Sequence, residues 1–354
     1  MRIFFYTKYD RQGASSRYRT YQYQEHFERE GFITHCHPLF SREYLRDRYS
    51  RGRMATGFID LYKRRIEDMK HVSDADLAVV EKEFLPYLPA LLERKAFREG
   101  KRILLDYDDA VFENYRRSRN PTTRLLLRNK IPKLLEWADG VTCGSAYLAS
   151  YARERARRVW LVPTVVDTTR YLPHDHEHEG LISIGWIGTP WSARYLPVVR
   201  RAVERVAREV PIRLIVIGAQ APAWEGVQSQ SHAWSEEKEA EWIRWLDIGI
   251  MPLVDTPFER GKCGLKLLQY MAAGVVPVAS DVGGNRDIIR GGVDGFLCRT
   301  EEEWVDSLLL LARDVSIRKG MAEEALVRVR QHFSLTAWAP RLASIYREVL
   351  SGER

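Results

Sequence analysis

The sequence predicts an α/β fold built from two Rossmann-like domains. Three observations lead to this prediction. The chain contains two successive series of apolar strand, glycine loop and helix, a polar stretch separates them near residue 175, and an amphipathic pattern at the end predicts a long helix. At 354 residues the chain is long enough for two domains, each with its own core.

The domain boundaries follow from where the two series stop and restart. We expect an N-terminal domain over residues 1–172, a linker over residues 173–180, a C-terminal domain over residues 181–335 and a final helix over residues 336–354. Within the linker, His174, His176 and His178 alternate in a pattern that would suit a metal ion. Because a polar linker favours solvated histidines, we predict no metal ligands.

Composition and charge limit the classes of protein that remain. The chain is 45% hydrophobic and 29% charged, as in ordinary globular proteins, and it contains no apolar run of membrane-spanning length. Its first ten residues, MRIFFYTKYD, are expected to form a strand rather than a signal peptide. Four scattered cysteines without metal-like spacing indicate a reducing compartment. The net charge of +7 suits nucleotide-sugars, phosphorylated lipids, an anionic membrane surface or nucleic acid.

Residues 41–70 are rich in arginine, lysine and aromatic side chains. Three interpretations are open. The segment would contact an anionic membrane, or bind nucleic acid through charge and stacking, or form a solvated helical face with some aromatics in the core. Because no recognised nucleic-acid motif accompanies these charges, we expect no nucleic-acid partner.

The loop after the first strand is a candidate ligand loop. Gly13, Ser15 and Arg17 follow the strand at Ile3–Tyr6 and precede a helix. Ligands of α/β sheets gather beside such loops. Arg17 and Arg19 would hold an anionic group of a ligand, either the molecule that donates a group or the molecule that accepts it. The alternative is an ordinary strand-to-helix turn with exposed arginines.

Acidic residues follow two later strands of the first domain. Glu83 lies just beyond one of them, and Asp106, Asp108 and Asp109 end the next. Three aspartates at a strand end are not expected in a core. Asp108 and Asp109 would orient acceptor hydroxyls, act as a base or bind a cation; the alternative is that one caps a helix and the rest are solvated. Because carboxylates repel a diphosphate, we expect these aspartates to face an acceptor molecule rather than a diphosphate.

The most informative stretch is Gly261–Gly284, GKCGLKLLQYMAAGVVPVASDVGG. Its pattern predicts a glycine loop, a short helix, a tight turn and a buried strand. Glycines let backbone N–H groups approach a ligand, and a helix N-terminus attracts anions. Lys262 and Lys266 flank this terminus, so we predict a phosphate or diphosphate site at Gly264 and Leu265. The alternative is a loop whose lysines are solvated.

This stretch, followed by DII and GFL, resembles the donor-binding signature of family-4-type glycosyltransferases, and Pro257–Gly274 fits their PFxRGKCGxKLLQYMAxG form. The resemblance implies a GT-B fold: two Rossmann-like domains, a nucleotide-sugar between them, and a final helix that crosses back to the first domain. The family usually carries glutamates where this sequence has Gly261 and Gln269. An amide at Gln269 still hydrogen-bonds a ribose hydroxyl, but without charge.

The resemblance also implies roles in the other loops of the second domain. Gly188 and Thr189 would meet the phosphates or the transferred sugar. Arg194 would be the counter-ion of the leaving diphosphate; the alternative is an exposed arginine on a helix. Trp234 would stack on the nucleobase; the alternative is that it only packs against neighbouring side chains. The resulting site has Lys266, Lys262, Asp108 and Asp109 as catalytic residues, Gly188, Thr189, Arg194, Trp234, Gly264, Leu265 and Gln269 as donor contacts, and Gly13, Ser15, Arg17 and Glu83 as acceptor contacts.

The function that the resemblance implies is sugar transfer with retention, from a UDP- or GDP-linked donor to a saccharide, glycolipid or small-molecule acceptor. We expect no cofactor, since the nucleotide-sugar is a co-substrate and no metal is needed. We expect a cytoplasmic location with peripheral contact at the membrane's inner face. Two alternatives stay open: a nucleotide-sugar epimerase or phosphorylase on the same fold, and a non-catalytic sugar-nucleotide binder.

Overall fold

The computed structural model describes residues 1–41, 58–176 and 180–352. The chain divides into two compact units. The first comprises Met1–Thr164, Arg260–Cys263 and Trp338–Arg354, and the second comprises Val165–Glu259 and Gly264–Ala337. The change of unit after Thr164 precedes the linker expected at residues 173–180.

The first unit contains a sheet of six parallel strands in the order β2-β1-β3-β4-β5-β6. Its strands are β1 (Arg2–Tyr6), β2 (Ile33–Cys36), β3 (Leu77–Glu81), β4 (Ile103–Tyr107), β5 (Gly140–Cys143) and β6 (Val159–Leu161). The central strands β3 and β4 are buried along their whole length, as expected for a parallel sheet covered on both faces.

Helices connect these strands. They are α1 (Ala14–Arg19), α2 (Gln24–Arg29), α3 (Phe58–Lys70), α4 (Arg94–Glu99), α5 (Val111–Arg116), α6 (Pro121–Leu127), α7 (Lys130–Trp137) and α8 (Ala146–Arg153). The sequence did not predict α5 and α6. Asn120 begins α6 because its side chain accepts a hydrogen bond from the backbone N–H of Thr122 at 2.9 Å, and Pro121 occupies the first turn.

The second unit contains another six-stranded parallel sheet, in the order β12-β11-β10-β7-β8-β9. Its strands are β7 (Ile182–Ile187), β8 (Ile212–Ile217), β9 (Gln228–His232), β10 (Ile248–Met251), β11 (Val276–Ser280) and β12 (Phe296–Cys298). Counted from β7, this is the 3-2-1-4-5-6 order of dinucleotide-binding folds. β9 was not predicted, because its sequence QSQSH is polar and lies at the edge of the sheet.

The second unit has its own helices. They are α9 (Arg200–Glu209), α10 (Glu239–Arg244), α11 (Pro257–Arg260), α12 (Leu265–Ala272), α13 (Asn285–Ile288), α14 (Glu301–Arg313), α15 (Val315–His332) and the first residues of α16 (Leu335–Ser351). The helical segment that follows β7 is divided into a 3-10 helix over Ser192–Val199 and the α-helix α9. Pro197 explains the division, since proline cannot donate the hydrogen bond that a continuous α-helix requires.

Most of α16 packs in the first unit, where Tyr346 is 3% exposed. Its ring centroid lies 5.2 Å from that of Phe27 and 6.2 Å from that of Phe5 on β1. This packing agrees with the predicted return of the final helix to the first domain.

The basic segment at residues 41–70 is only partly within the described residues, since residues 42–57 lie outside them. In α3, two of its residues belong to the core. Tyr62 donates a hydrogen bond to the Pro86 carbonyl at 2.7 Å, and Arg65, which is 2% exposed, donates to the Thr7 carbonyl at 2.5 Å. Arg65 is therefore a structural residue rather than part of a charged surface. Within the described residues, no helix is both long and apolar enough to cross a membrane.

Candidate functional site

Each sheet has a topological switch point, where the connections of two adjacent strands leave in opposite directions. In the first sheet it lies between β1 and β3, and in the second between β7 and β10. A crevice forms at the carboxyl ends of such strands, and ligands bind there. The loops that follow β1, β3, β7 and β10 are the loops in which the sequence placed most candidate residues.

Gly264 shapes the loop that begins α12 in the second unit. Its φ of +63° lies in the left-handed region, and an added Cβ would lie 2.2 Å from the Cδ1 atom of Ile288. Glycine is therefore required here for conformation and for space. Gly264 is the N-cap residue, and it has no side chain that could cap the helix, which begins at Leu265. The first N–H groups of a helix have no partner within it, so they are the donors that a ligand at this end would use.

Lys266, on the first turn of α12, lies over Trp186 at the end of β7. Its Nζ atom is 4.5 Å from the ring centroid, within cation–π distance. Gly188 follows the same strand, and a Cβ there would lie 2.6 Å from the Trp186 ring. The structure thus brings Lys266 and Gly188 next to the same tryptophan, Trp186, a residue that the sequence did not single out.

The Gly188 loop is held by reciprocal hydrogen bonds. The backbone N–H of Thr189 donates to Ser192 Oγ at 3.0 Å, and the backbone N–H of Ser192 donates to Thr189 Oγ1 at 3.3 Å. Trp234 lies beside the neighbouring strand end, where a Cβ added to Gly218 would be 3.2 Å from the Trp234 Cβ. Its indole N–H donates to Glu239 at 2.7 Å, so the indole orientation is fixed.

Arg194 belongs to a group that includes a buried carboxylate. Its guanidinium lies 3.5 Å from the Trp191 ring centroid and 3.4 Å from Glu259, and it donates to the Tyr195 hydroxyl at 2.7 Å. Tyr195 and Thr256 also donate to Glu259, which is 4% exposed. Glu259 is not among the residues that the sequence singled out. The structure makes it the carboxylate that positions Arg194.

Gln269 is 3% exposed on α12, and its amide lies 3.4 Å from the Tyr171 hydroxyl. The predicted ribose contact therefore belongs to a buried side chain that already has one polar neighbour.

In the first unit, Lys82 is at the centre of a group at the switch point. Its Nζ atom lies 2.7 Å from Asp108, 3.7 Å from Asp109 and 3.0 Å from Ser15 Oγ. Ser15 also donates to Asp108. The structure thus joins three of the predicted residues through a lysine that the prediction did not select.

The backbone of Lys82 is strained as well as buried. Its φ is +67°, a conformation that residues other than glycine seldom adopt, and only 3% of the residue is exposed. Burial would lower the pKa of Lys82, but Asp108, Asp109 and Glu81 raise it well above its ordinary value. The signal in the sequence was a lysine between two glutamates directly after an apolar strand.

Burial alone would raise the pKa of Asp108. Lys82, through its charge and its hydrogen bond, and the hydroxyl of Ser15 lower that pKa to about 2. Asp108 is therefore ionised near neutral pH. Asp109 also lies 3.5 Å from Lys262, a residue that groups with the first unit. In the structure Lys262 is thus a partner of the acidic group.

The expectation that the aspartates at the end of β4 avoid the core was wrong for Asp106, which belongs to the buried strand itself. Its carboxylate is paired with Arg19, whose Nε atom donates to it at 2.9 Å, and Thr142 Oγ1 donates to it at 2.5 Å. Asp106 is 7% exposed and Arg19 is 6% exposed. Arg19 is therefore a core counter-ion rather than an anion-binding residue at the loop.

The remaining acceptor candidates have structural partners. Glu83 accepts a hydrogen bond from Tyr115 at 2.6 Å and is 2.7 Å from the buried Lys130. A Cβ at Gly13 would lie 2.3 Å from the Tyr9 Cβ, and Arg17 is 2% exposed with its guanidinium 4.9 Å from the Tyr18 ring centroid. The carboxylate of Glu83 and the guanidinium of Arg17 are thus buried, whereas Ser15 and Asp109 retain partial exposure.

One group of side chains within the described ranges has the composition and spacing to hold a metal ion: His174, His176 and Asp247. It lies at the amino-terminal end of the second sheet, because Asp247 precedes β10 and bonds with Ser183 near the start of β7. The loops that carry the predicted donor contacts follow the opposite ends of these strands.

Residues 182–314 match the family model described as glycosyl transferases group 1, so the second unit contains a group 1 glycosyltransferase domain. A segment of 113 residues is 34% identical to D-inositol 3-phosphate glycosyltransferase of Thermobispora bispora, and covers 31% of this chain and 25% of that protein. A segment of 98 residues is 30% identical to N-acetyl-alpha-D-glucosaminyl L-malate synthase of Bacillus anthracis, and covers 27% of this chain and 26% of that protein. The matches thus span about a quarter of the length of these relatives.

Solved structures resemble the whole chain. Sucrose-phosphate synthase from Thermosynechococcus elongatus superposes with a TM-score of 0.73 at 14% identity, over 100% of both chains. HepE of Anabaena, in complex with UDP-glucose, has a TM-score of 0.69 at 12% identity, over 98% of this chain and 100% of that one. These similarities confirm the predicted α/β GT-B fold.

Gly264→Ala is expected to disrupt the start of α12, because alanine is strained at a φ of +63° and its Cβ would collide with Ile288. The left-handed conformation alone costs alanine about 1–2 kcal/mol. The measurement is thermal unfolding together with nucleotide titration, and we expect lower stability and weaker binding. Gly320→Ala is the control: it lies in α15 with nothing near its Cβ, so it should stabilise the protein by about 1 kcal/mol. Equal behaviour of the two variants would contradict this role of Gly264.

Asp108 is expected to make the first unit acid-sensitive. The pKa of Asp108 in the folded protein is about 2, below its ordinary value of 3.8. The ionised carboxylate therefore stabilises the folded state fully above pH 4, and this stabilisation is lost as the pH falls toward 2. The contribution is on the order of 2 kcal/mol. Hydrogen exchange of β3 and β4 amides between pH 2 and pH 5 measures it. Asp108→Asn should remove this part of the pH dependence, whereas Asp60→Asn, at a position with a 79% exposed side chain, should not. If Asp108→Asn showed the same acid dependence as the wild type, Asp108 would not be the source of the acid sensitivity.

Proposed function

We propose that the protein is a glycosyltransferase that transfers a sugar from a nucleoside-diphosphate sugar, UDP- or GDP-linked, to a hydroxyl acceptor with retention of configuration. The observation that carries this proposal is the start of α12. Gly264 has a left-handed conformation and precedes a largely buried helix, and Lys266 on the first turn of that helix lies over Trp186. This part of the chain follows β10, at the switch point of a Rossmann-type sheet.

This arrangement suits a diphosphate for electrostatic reasons. The backbone N–H groups at Gly264 and Leu265 begin the helix and offer donors with partial positive charge, and Lys266 adds a full charge. Negative charge accumulates on the diphosphate as the glycosidic bond breaks, so fixed positive groups stabilise the transition state more than the ground state. This step needs no metal ion.

Arg194 is the second cationic group proposed for the donor. Glu259 and Trp191 hold its guanidinium in one orientation, yet 48% of its side chain remains exposed. A pre-oriented and accessible guanidinium suits phosphate, because its fork of N–H donors matches two oxygens. Gly188 and Thr189 complete the phosphate side, Trp234 is proposed to contact the base, and Gln269 the ribose.

In the first unit, we assign the acceptor to the group of Ser15, Asp108 and Asp109. Asp108 is ionised and held by Lys82, and Asp109 is 31% exposed at its side chain. A carboxylate in this state accepts a hydrogen bond from an acceptor hydroxyl, which orients the nucleophilic oxygen. Since it would repel a diphosphate, it is suited to a saccharide, a small-molecule acceptor or the sugar part of a glycolipid.

A non-catalytic sugar-nucleotide binder is the second candidate. It is favoured by Gly261 and Gln269, which stand where the resembling family usually has glutamates. HepE of Anabaena, which shares the fold, was solved with UDP-glucose, so donor binding by itself does not separate the two candidates. Turnover does.

Lys266→Ala is expected to weaken nucleoside-diphosphate binding by about tenfold to a hundredfold, the usual value of a hydrogen bond to a charged group. Calorimetric titration with UDP, GDP, ADP and TDP measures this, and should show selectivity for one base. Lys238→Ala, which removes an exposed lysine paired with Glu241, should leave affinity unchanged. Lys262→Ala and the double variant show whether Lys262 shares the role. A folded protein that binds none of the four would end the proposal.

Turnover is followed by NMR with the donor that corresponds to the selected nucleotide. A transferase cleaves the donor, is stimulated by acceptor and yields a product of unchanged anomeric configuration. An epimerase changes sugar stereochemistry without releasing nucleoside diphosphate, and a binder leaves the donor intact. We expect Asp108→Asn to reduce kcat while nucleotide affinity stays at the wild-type value.

A surface on α5 and α6 is proposed to contact an anionic membrane. Leu125 and Leu126 are 71% and 62% exposed, and arginines surround them. Arg116, Arg124 and Arg128 line a shallow depression together with Leu125. Adjacent apolar side chains would enter the lipid while guanidinium groups bind headgroup phosphates.

Co-sedimentation with phosphatidylcholine vesicles, with and without phosphatidylglycerol, tests this surface. Binding should require the anionic lipid and fall with salt. Leu125→Ser/Leu126→Ser should weaken it by about tenfold or more, since each leucine buried in lipid contributes about 1.5–3 kcal/mol. Leu310→Ser, a 40% exposed leucine of the second unit, is the control. Equal binding to neutral vesicles, or none, would contradict the proposal.

A further inference from the structure

Three side chains converge at the amino-terminal end of the second sheet, away from the donor loops. Asp247 lies just before β10 and is fully buried, and the exposed fractions of the His174 and His176 side chains are 9% and 4%. The sequence led us to expect solvated histidines in a polar linker. The structure shows instead that this part of the linker is packed on the sheet.

The hydrogen bonds of the two imidazoles determine which nitrogen faces the aspartate. His174 Nδ1 lies 2.7 Å from the Arg244 carbonyl, and His176 Nε2 lies 2.8 Å from the Gly274 carbonyl. A carbonyl oxygen only accepts, so both of these nitrogens carry protons. In the neutral rings the lone pairs are therefore on His174 Nε2 and His176 Nδ1.

Both lone-pair nitrogens face the Asp247 carboxylate. Oδ1 of Asp247 is 3.1 Å from His174 Nε2 and 4.0 Å from His176 Nδ1. His176 Nδ1 is buried and has no hydrogen-bond partner among the described residues. An unprotonated nitrogen next to a carboxylate oxygen is unfavourable unless a cation or a proton lies between them.

We propose that His174, His176 and Asp247 form a binding site for a divalent transition-metal ion, best suited to Zn²⁺. The three ligand atoms all lie within 4.8 Å of one another, so the group has only to close slightly around an ion to reach Zn–N and Zn–O distances of about 2.0–2.2 Å. Each imidazole already donates its other N–H to a backbone carbonyl, as metal-bound histidines do.

The ion would be structural rather than catalytic. It would fasten the segment around His174 to the start of β10 and, through His176, to the turn after α12. The competing arrangement is an ion pair, in which a protonated His174 and Arg318, whose Nε atom is 3.6 Å from Asp247, balance the carboxylate. The positive charge of Arg318 also opposes a cation at this position, so the affinity for Zn²⁺ decides between the two arrangements.

The test uses the untagged full-length chain, stripped with chelator and titrated with ZnCl₂ in a calorimeter, with Co²⁺ absorption as a geometric probe. We expect one ion per chain and tetrahedral Co²⁺ bands. His174→Ala and His176→Ala should each weaken binding by more than about a hundredfold, because even second-shell changes cost tenfold to a hundredfold. His71→Ala, an exposed histidine paired with Asp74, should bind as the wild type does.

A further variant separates ligand loss from misfolding. His176→Gln keeps a side-chain N–H for the Gly274 carbonyl but removes the imidazole, so it should stay folded and lose the ion. The wild type should also melt at a higher temperature with Zn²⁺ than with chelator. No saturable binding by the folded wild type would overturn the site and favour the ion pair. Binding that survives in both alanine variants would place the ion elsewhere and overturn it as well.

Discussion

The candidate sites depend on one constraint: two parallel sheets, each with a point where the strand connections diverge. At that point a crevice forms at the carboxyl ends of the strands, so side chains and backbone groups of the loops meet there. In the second unit this brings Gly188, Lys266 and Trp186 together, and in the first it brings Ser15 to Lys82. The rest of each unit mainly holds these loops in place.

Buried charge gives the first unit its particular character. Lys82 with Asp108, Arg19 with Asp106, and Lys130 with Glu83 are ion pairs in or near the core. Such pairs contribute little stability compared with apolar residues of similar volume, but removing one partner leaves an uncompensated charge. They therefore fix the positions of their neighbours. The strained backbone at Lys82 is consistent with this interpretation, since strain persists only where the surroundings impose it.

The second unit uses the two ends of its sheet differently. Around the carboxyl ends of the strands, glycines and cations leave space and positive charge for an anion. At the amino ends, His174, His176 and Asp247 leave little space and concentrate lone pairs that suit a cation. Helix α12 connects the two ends: it begins at the loop proposed to bind the diphosphate, and the carbonyl of Gly274, just beyond its last turn, accepts a hydrogen bond from His176. The proposed donor site and the proposed metal site therefore share a helix but not a ligand.

The sequence alone determined the fold class, the positions of most strands and the loop that precedes α12. These features are local: apolar β-branched runs mark buried strands, and a glycine that must be left-handed marks the start of a helix. The polar edge strand β9 and the break at Pro197 were missed because the first has no apolar pattern and the second leaves the amphipathic pattern intact. The tertiary structure alone decided which charged residues are partners. Lys82 and Asp108 are 26 residues apart and His174 and Asp247 are 73 apart, so only the packing of strands from distant parts of the chain brings them within bonding distance.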